Sequence, residues 1–245
     1  MNLARRAFAE FAGTAALVAV VVGSGIMATD LSHDVGVQLL ANSLATAAGL
    51  AVLILILGPV SGAHLNPVVS VAAWVLTRRD AAPAIHGREV AAYVPAQVAG
   101  SVAGAVLANA MFALPAVQVS AHDRSAPHLL LGEVVATAGL IVVVFALARQ
   151  GRAALAPVTV GGYIGAAYWF TSSTSFANPA VTLGRAFTDT FAGIAPASVP
   201  GFIAAQLTGA ALGALLLVVL YPNNPQPDAE PVPGSAYQAA ADQPR

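Results

Sequence analysis

Cysteine is absent from the chain, and so is lysine; all ten basic residues are arginine. The first absence excludes disulfides and thiolate metal sites. Charge of either sign is scarce: Asp, Glu, Lys and Arg make up 9% of the 245 residues, where a soluble domain carries about 25%. The net charge of −1 leaves no basic footprint for a nucleic-acid partner. What fills the chain instead is apolar, 58% of it. At about 20 apolar residues per spanning helix, roughly six to eight spans fit. The chain therefore reads as an integral membrane protein, with the bilayer as its solvent.

Apolar blocks run over 7–28, 36–57, 66–76, 88–112, 129–148, 154–172, 178–188 and 199–221. Six are long enough to span. The two that open at Asn66 and Asn178 are about half that length and too short to cross alone. Arg5 and Arg6 ahead of the first block mimic a signal peptide, but the 7–28 run is long for one and has a counterpart later in the chain, so it reads as a retained first helix. From 222 to 245 the chain turns Pro-, Ala- and Gln-rich with few large apolar residues and reads as a disordered tail.

The two halves repeat. Glu10-Phe-Ala-Gly-Thr14-Ala-Ala-Leu17 resembles Glu133-Val-Val-Ala-Thr137-Ala-Gly-Leu140. Asn66-Pro-Val-Val-Ser70 resembles Asn178-Pro-Ala-Val-Thr182, and the stretch from Gln97 through Gly100 and Gly104 resembles that from Gln206 through Gly209 and Gly213. This gives repeat one at about 7–112 and repeat two at about 129–221, together one membrane domain, 1–221. Each repeat holds three spans and one half-helix. Three is odd, so the second repeat enters the membrane from the opposite side, with the functional site where the interrupted segments meet near the midplane. Arginine counting sets the orientation. With the N-terminus in the cytoplasm, Arg5, Arg6, Arg78, Arg79, Arg88, Arg149, Arg152 and Arg245 lie inside and only Arg124 and Arg185 outside.

Each Asn-Pro is a helix-start signal. Asn is a favoured N-cap, and Pro at the first helical position gives up an N–H that has no partner there. Two such starts meeting in mid-membrane put two positive dipole ends at one point and repel cations. The Asn amides can donate hydrogen bonds to a passing solute. Non-helical backbone at this depth is tolerated only where it is buried or lines a water cavity, so the segments 58–65 and 171–177 are expected to line a pore with carbonyls.

These features resemble the aquaporin (major intrinsic protein) family: Ser61-Gly62-Ala63-His64-Leu65-Asn66-Pro67-Val68 and Asn178-Pro179-Ala180 look like its paired Asn-Pro-Ala boxes, and the Glu/Thr and Gln/Gly repeats match it across about residues 5–221. The resemblance implies an all-α fold of six transmembrane helices plus two re-entrant half-helices. It implies a homotetramer with a pore in each subunit that passes water or small neutral solutes passively and excludes protons. It also implies a pore lined by Asn66, Asn178, His64, Val68 and Ala180. Counting from each Asn carries the family's outer selectivity filter over to Thr46, Ala166, Ser175 and Val181. Two departures stand out. Val68 replaces the first box's Ala, and Val181 stands where the family usually has Arg. A filter of four small or medium uncharged residues is expected to be wider and less polar than a water filter. The Asp that glycerol-type members carry next is Thr182 here. Bacterial-looking members with this Asn-Pro-Ala-Val pattern are linked to uncharged metalloids such as arsenous acid.

Glu10 and Glu133 lie inside apolar helices, where ionisable groups mark function. The resemblance implies that they support the re-entrant loops; the alternative is a proton-relay pair in a coupled secondary transporter. His64 either contacts solute or packs against a carbonyl. His33, His86, His122 and His128 are scattered through loops and form no ligand cluster. Gly100/Gly104 and Gly209/Gly213 are small-xxx-small pairs for close helix approach, and Gly161, Gly162 and Gly165 are expected to act likewise on the fifth span. Trp74 and Trp169 read as packing or interface anchors. No nucleophile–base pair, phosphate loop or metal set is present in the sequence, so the chain reads as a channel without cofactor and not as an enzyme. A bacterial inner membrane with both termini cytoplasmic is the expected location.

Overall fold

The computed structural model describes residues 2–78 and 84–222. The expected tail lies outside the described residues from 223 onward, as do Arg79, Asp80 and Arg245. The described residues form eight α-helices: α1 (Leu3–Leu31), α2 (Val35–Ser61), α3 (Pro67–Thr77), α4 (Gly87–Met111), α5 (Pro127–Arg149), α6 (Ala156–Phe170), α7 (Pro179–Gly184) and α8 (Val199–Leu220). Short 3₁₀ turns at Ala153–Leu155, Arg185–Phe187 and Pro196–Ser198 flank α6, α7 and α8.

Five of these helices are long and apolar enough to cross a membrane. The 154–172 block, expected to be a full span, divides into a 3₁₀ turn and the 15-residue α6. Pro157 and the wide turn at 150–155 set where the α-helix can begin. At 1.5 Å per residue α6 is about 22 Å long, short of a 30 Å hydrocarbon core, and the turn before it makes up part of the difference.

The helices are turned inside out relative to those of a soluble protein. The buried residues of α2 are Gln38, Asn42, Ser43, Thr46 and Ser61, while Leu44, Val52, Leu55 and Ile56 on the same helix are exposed. Lipid solvates the apolar face, so the interior is free to hold polar side chains.

The repeat seen in the sequence recurs in the packing. α1 lies against α4, and α5 against α8. A Cβ added to Gly100 or Gly104 would overlap the carbonyl oxygens of Phe11 and Ala15; one added to Gly209 or Gly213 would overlap those of Val134 and Ala138. Phe11 follows Glu10 and Val134 follows Glu133, so both helix pairs cross in the same register with backbones touching, as small residues permit in lipid. Of the three glycines on α6, Gly161 and Gly165 pack against Ala47 and Ala51 of α2, but Gly162 faces open space. The half-helices α3 and α7 meet between the two helix pairs.

Candidate functional site

The site grows from two N-caps. Asn66 and Asn178 both have extended backbone, with φ −159° and −157°. Asn66 Oδ1 accepts from the Val68 N–H at 3.0 Å, and Asn178 Oδ1 accepts from Ala180 and Val181 at 3.0 and 3.2 Å. With the oxygen held by its own half-helix, each amide nitrogen must point away from it. Asn66 Nδ2 donates to the carbonyl of Ala177, and Asn178 Nδ2 to that of Leu65, both at 2.8 Å. Each bond thus reaches the residue preceding the other Asn. A side-chain amide has two hydrogens, and only one is used here.

The loops leading to the caps are strained. Ala63, Leu65, Thr174, Ser175 and Ala177 all have positive φ, between 47° and 62°, a conformation that costs a non-glycine residue about 1 kcal/mol. Gly62, at φ 93°, closes α2 with no such penalty. Two fully buried carboxylates hold the strain. Glu10 accepts from Ser61 Oγ (2.5 Å), the backbone N–H groups of His64 (3.0 Å) and Leu65 (2.6 Å), and Gln97 Nε2 (2.8 Å). Glu133 accepts from the N–H groups of Phe176 and Ala177, both at 2.8 Å, and from Gln206 Nε2 at 2.6 Å. Hydrogen bonds to a charged acceptor contribute about 1.5–3 kcal/mol each, enough to offset the backbone cost. Gln97 and Gln206 also donate to Ser70 Oγ and Thr182 Oγ1 on the half-helices. Glu, Gln and hydroxyl thus form the same brace twice.

A cavity of about 200 Å³ passes this junction. Ala156 and Tyr168 of α6 both line it, and twelve residues of helix separate them, so it extends for about 18 Å along α6. Asn66, Asn178, His64, Thr46, Ser175 and Val181 are in its wall. Val68 and Ala180 are not: both are buried, Val68 facing a groove toward α8 and the Ala180 carbonyl accepting from Ser101 Oγ.

Ala166 is a correction. It is exposed, on the far side of α6 from the cavity. Val160, Ile164 and Tyr168, spaced at four residues, form the cavity-facing stripe; residue 166 sits about 200° from 168 around a helix. In the cavity wall that place is taken by Tyr168, whose hydroxyl lies 3.2 Å from Thr46 Oγ1.

Arg185 also lines the cavity, although the sequence counted it only among the arginines outside the membrane. It is 97% shielded, at 3% exposure, and its guanidinium carbon lies 3.3 Å from the centre of the Phe176 ring. Its Nε donates to the Ala192 carbonyl. The signal was available, since Arg185 follows Val181 by four residues and so shares its helix face. Arg124 lies 5.1 Å from the same ring centre and donates to the carbonyls of Gly193 and Phe191. Nearby, hydrogen bonds from the Ser125 side chain and backbone and from Ser198 hold the Asp123 carboxyl below its ordinary value.

At the other end, Arg6 bonds Glu89 at 2.7 Å and Tyr93 Oη at 2.9 Å, and Tyr93 donates to the Ser61 carbonyl. His64 Nδ1 is 3.0 Å from Ser70 Oγ, and its ring meets Tyr93 edge-on. The histidine is therefore both packed and in the cavity wall. No group of three or more potential metal ligands occurs among the described residues.

The family model for "Major intrinsic protein" matches residues 1–175. The chain is 51% identical to the aquaglyceroporin AqpS of Rhizobium meliloti over 91% of its own length and 94% of that protein. It is 31% identical to the glycerol uptake facilitator protein of Pseudomonas aeruginosa, covering 87% of each chain. The X-ray structure of the aquaglyceroporin from Plasmodium falciparum superposes with a TM-score of 0.62 at 20% identity, over 90% of this chain and 96% of that one.

Proposed function

The chain belongs to the major intrinsic protein family, and from that premise we propose that it is a passive channel for water and small uncharged solutes, with the path running through the cavity past Asn66 and Asn178. The observation that carries this reading is the crossed pair of amide bonds at the cavity wall. It fixes two half-helix starts against each other and leaves an N–H on each Asn for a solute oxygen. Half-helix dipoles directed at this point disfavour cations.

Within this reading Thr46, Tyr168, Ser175 and Val181 form the outer filter, with His64 on the cytoplasmic side. The absence of a long cation at Val181 supports solutes larger than water, in keeping with a relative named an aquaglyceroporin and another named a glycerol uptake facilitator. Uncharged metalloid acids of similar size belong to the same proposal. Glu10 and Glu133 are loop supports: their oxygens are occupied by loop donors, and neither lines the cavity. No observation favours a coupled transporter, and no catalytic role is proposed. A homotetramer in a bacterial inner membrane, with both termini cytoplasmic, completes the reading; the arginine distribution supports the orientation and the bacterial relatives the membrane.

The test is stopped-flow light scattering on proteoliposomes. Water and glycerol should both cross faster than in empty vesicles. Flux of neither would refute the channel.

A further inference from the structure

A groove of about 220 Å³ lies between α3 and α8, separate from the cavity that passes the two Asn caps. It runs from Val68 to Leu76 on α3 and from Leu207 to Ala214 on α8, and every residue of its wall is Val, Ala or Leu. Ala72, Ala210, Ala211 and Ala214 contribute only methyl groups, which leaves the surface hollow. Val71, Val75 and Leu207 on the same wall are exposed. The stretch of α3 is about 12 Å long, so the groove averages about 18 Å² in section. One extended hydrocarbon chain enters such a section; a helix, about 10 Å across, does not.

The same face of α3 ends in charge. Val71, Val75 and Arg78 follow one another at four and three residues and so share a stripe. Arg78 is the exposed C-cap of α3. A helical side chain leans back over the preceding turn, and here the Arg78 guanidinium carbon lies 5.6 Å from the centre of the Trp74 ring. The eleven residues of α3 span about 16 Å, half of a 30 Å hydrocarbon core. With Asn66 in mid-membrane, Arg78 stands at the level of the lipid headgroups.

We propose that this groove is a binding site for an anionic phospholipid of the leaflet in which α3 ends, with one acyl chain between α3 and α8 and the phosphate on Arg78. The orientation proposed above makes that leaflet the cytoplasmic one. The acyl chain covers Val71, Val75 and Leu207 and fills the hollow left by the alanines. The guanidinium meets the phosphate with paired N–H donors, and a cation at this depth favours a headgroup of net negative charge over a zwitterionic one. A second copy of this chain fits less well, because a helix is too wide for the groove and would lay an apolar face on Arg78. The site also touches the channel machinery. Val68, at the inner end of the groove, donates its N–H to the Asn66 side chain, so a lipid chain packed on Val68 steadies the half-helix whose cap reaches the other repeat. Bound lipid therefore stabilises the folded protein, whichever solute it passes.

The experiment is native mass spectrometry of the full chain in detergent with added phosphatidylglycerol or phosphatidylcholine, and thermal unfolding of the same samples. The unmodified protein should bind phosphatidylglycerol about fivefold more tightly, the fold-change for one arginine at an anionic surface, and its unfolding midpoint should rise with that lipid. Arg78→Gln should remove the preference, while Arg152→Gln, at an exposed arginine that does not adjoin the groove, should keep it. Ala211→Phe fills the groove from an exposed position and should weaken the binding of both lipids. Equal affinity for the two lipids in the unmodified protein overturns the proposal, as does a preference that survives Arg78→Gln or binding that survives Ala211→Phe. Inorganic phosphate that gives the same stabilisation by itself marks a free-anion site, and a subunit number changed by Ala211→Phe in the absence of lipid marks a contact between copies; either result also overturns it.

Discussion

The side-chain amide of Asn66 donates to the carbonyl of Ala177 at 2.8 Å, across the boundary between the two repeats. Asn178 returns the same bond to Leu65. Each Asn thus caps its own half-helix and holds the other half's loop, so cavity lining and structural strut are one side chain.

Asn66→Ala removes a cap, worth about 1 kcal/mol, and leaves a buried carbonyl unpaired, at about 1–3 kcal/mol. Thermal unfolding in detergent should show a loss of roughly 2–4 kcal/mol from these two effects, and Asn178→Ala should behave alike. An unchanged midpoint in both would show that the crossed bonds carry no weight.

Glu10→Gln and Glu133→Gln turn an acceptor oxygen into an NH₂ group facing N–H donors. Each should lower the yield of folded protein and the unfolding temperature, while flux per folded channel stays downhill and indifferent to a protonophore. Solute accumulation in the unmodified protein that either substitution abolishes would support proton coupling and contradict the loop-support role.

Gly104→Ala places a methyl group on the Ala15 carbonyl and should cost about 3 kcal/mol as the α1–α4 contact opens. Gly162→Ala meets nothing within 4 Å and should be neutral or gain about 0.5–1 kcal/mol. Equal stability of the two variants would contradict the close-contact account of these helices.

Much of this was legible in the sequence because the repeat duplicates chemistry as well as hydropathy. Glu10 and Glu133, Gln97 and Gln206, and the two Asn-Pro pairs could be matched before any helix was placed, and each pair occupies equivalent places in the fold. The fifth span was harder. Counting back from Asn178 passes through the loop 171–177, where three consecutive or near-consecutive positive φ angles break any fixed link between chain distance and helix face, so the count lands on Ala166 while the cavity is lined by Tyr168. Val68 and Ala180 sit in the boxes but face away from the cavity, because the first helical turn directs them toward α8 and Ser101. Arg185 was missed because charge counting treats every cation as solvated. Its burial depends on Phe176 and the Ala192 carbonyl, contacts that only the folded chain brings together.

Val181→Arg adds a long cation with five donors one turn from Arg185. It should narrow the outer end and cut glycerol flux much more than water flux in the same vesicles. A variant that loses neither would mean that Val181 does not stand at the narrowing.

The central claim is downhill conduction of water and small neutral solutes through one path. Stopped-flow scattering on vesicles containing the unmodified protein, with and without a protonophore, tests it most directly. Water and glycerol should both equilibrate faster than in empty vesicles, at rates the protonophore leaves unchanged, and with no ionic current. Uptake against a gradient that the protonophore collapses would contradict the account.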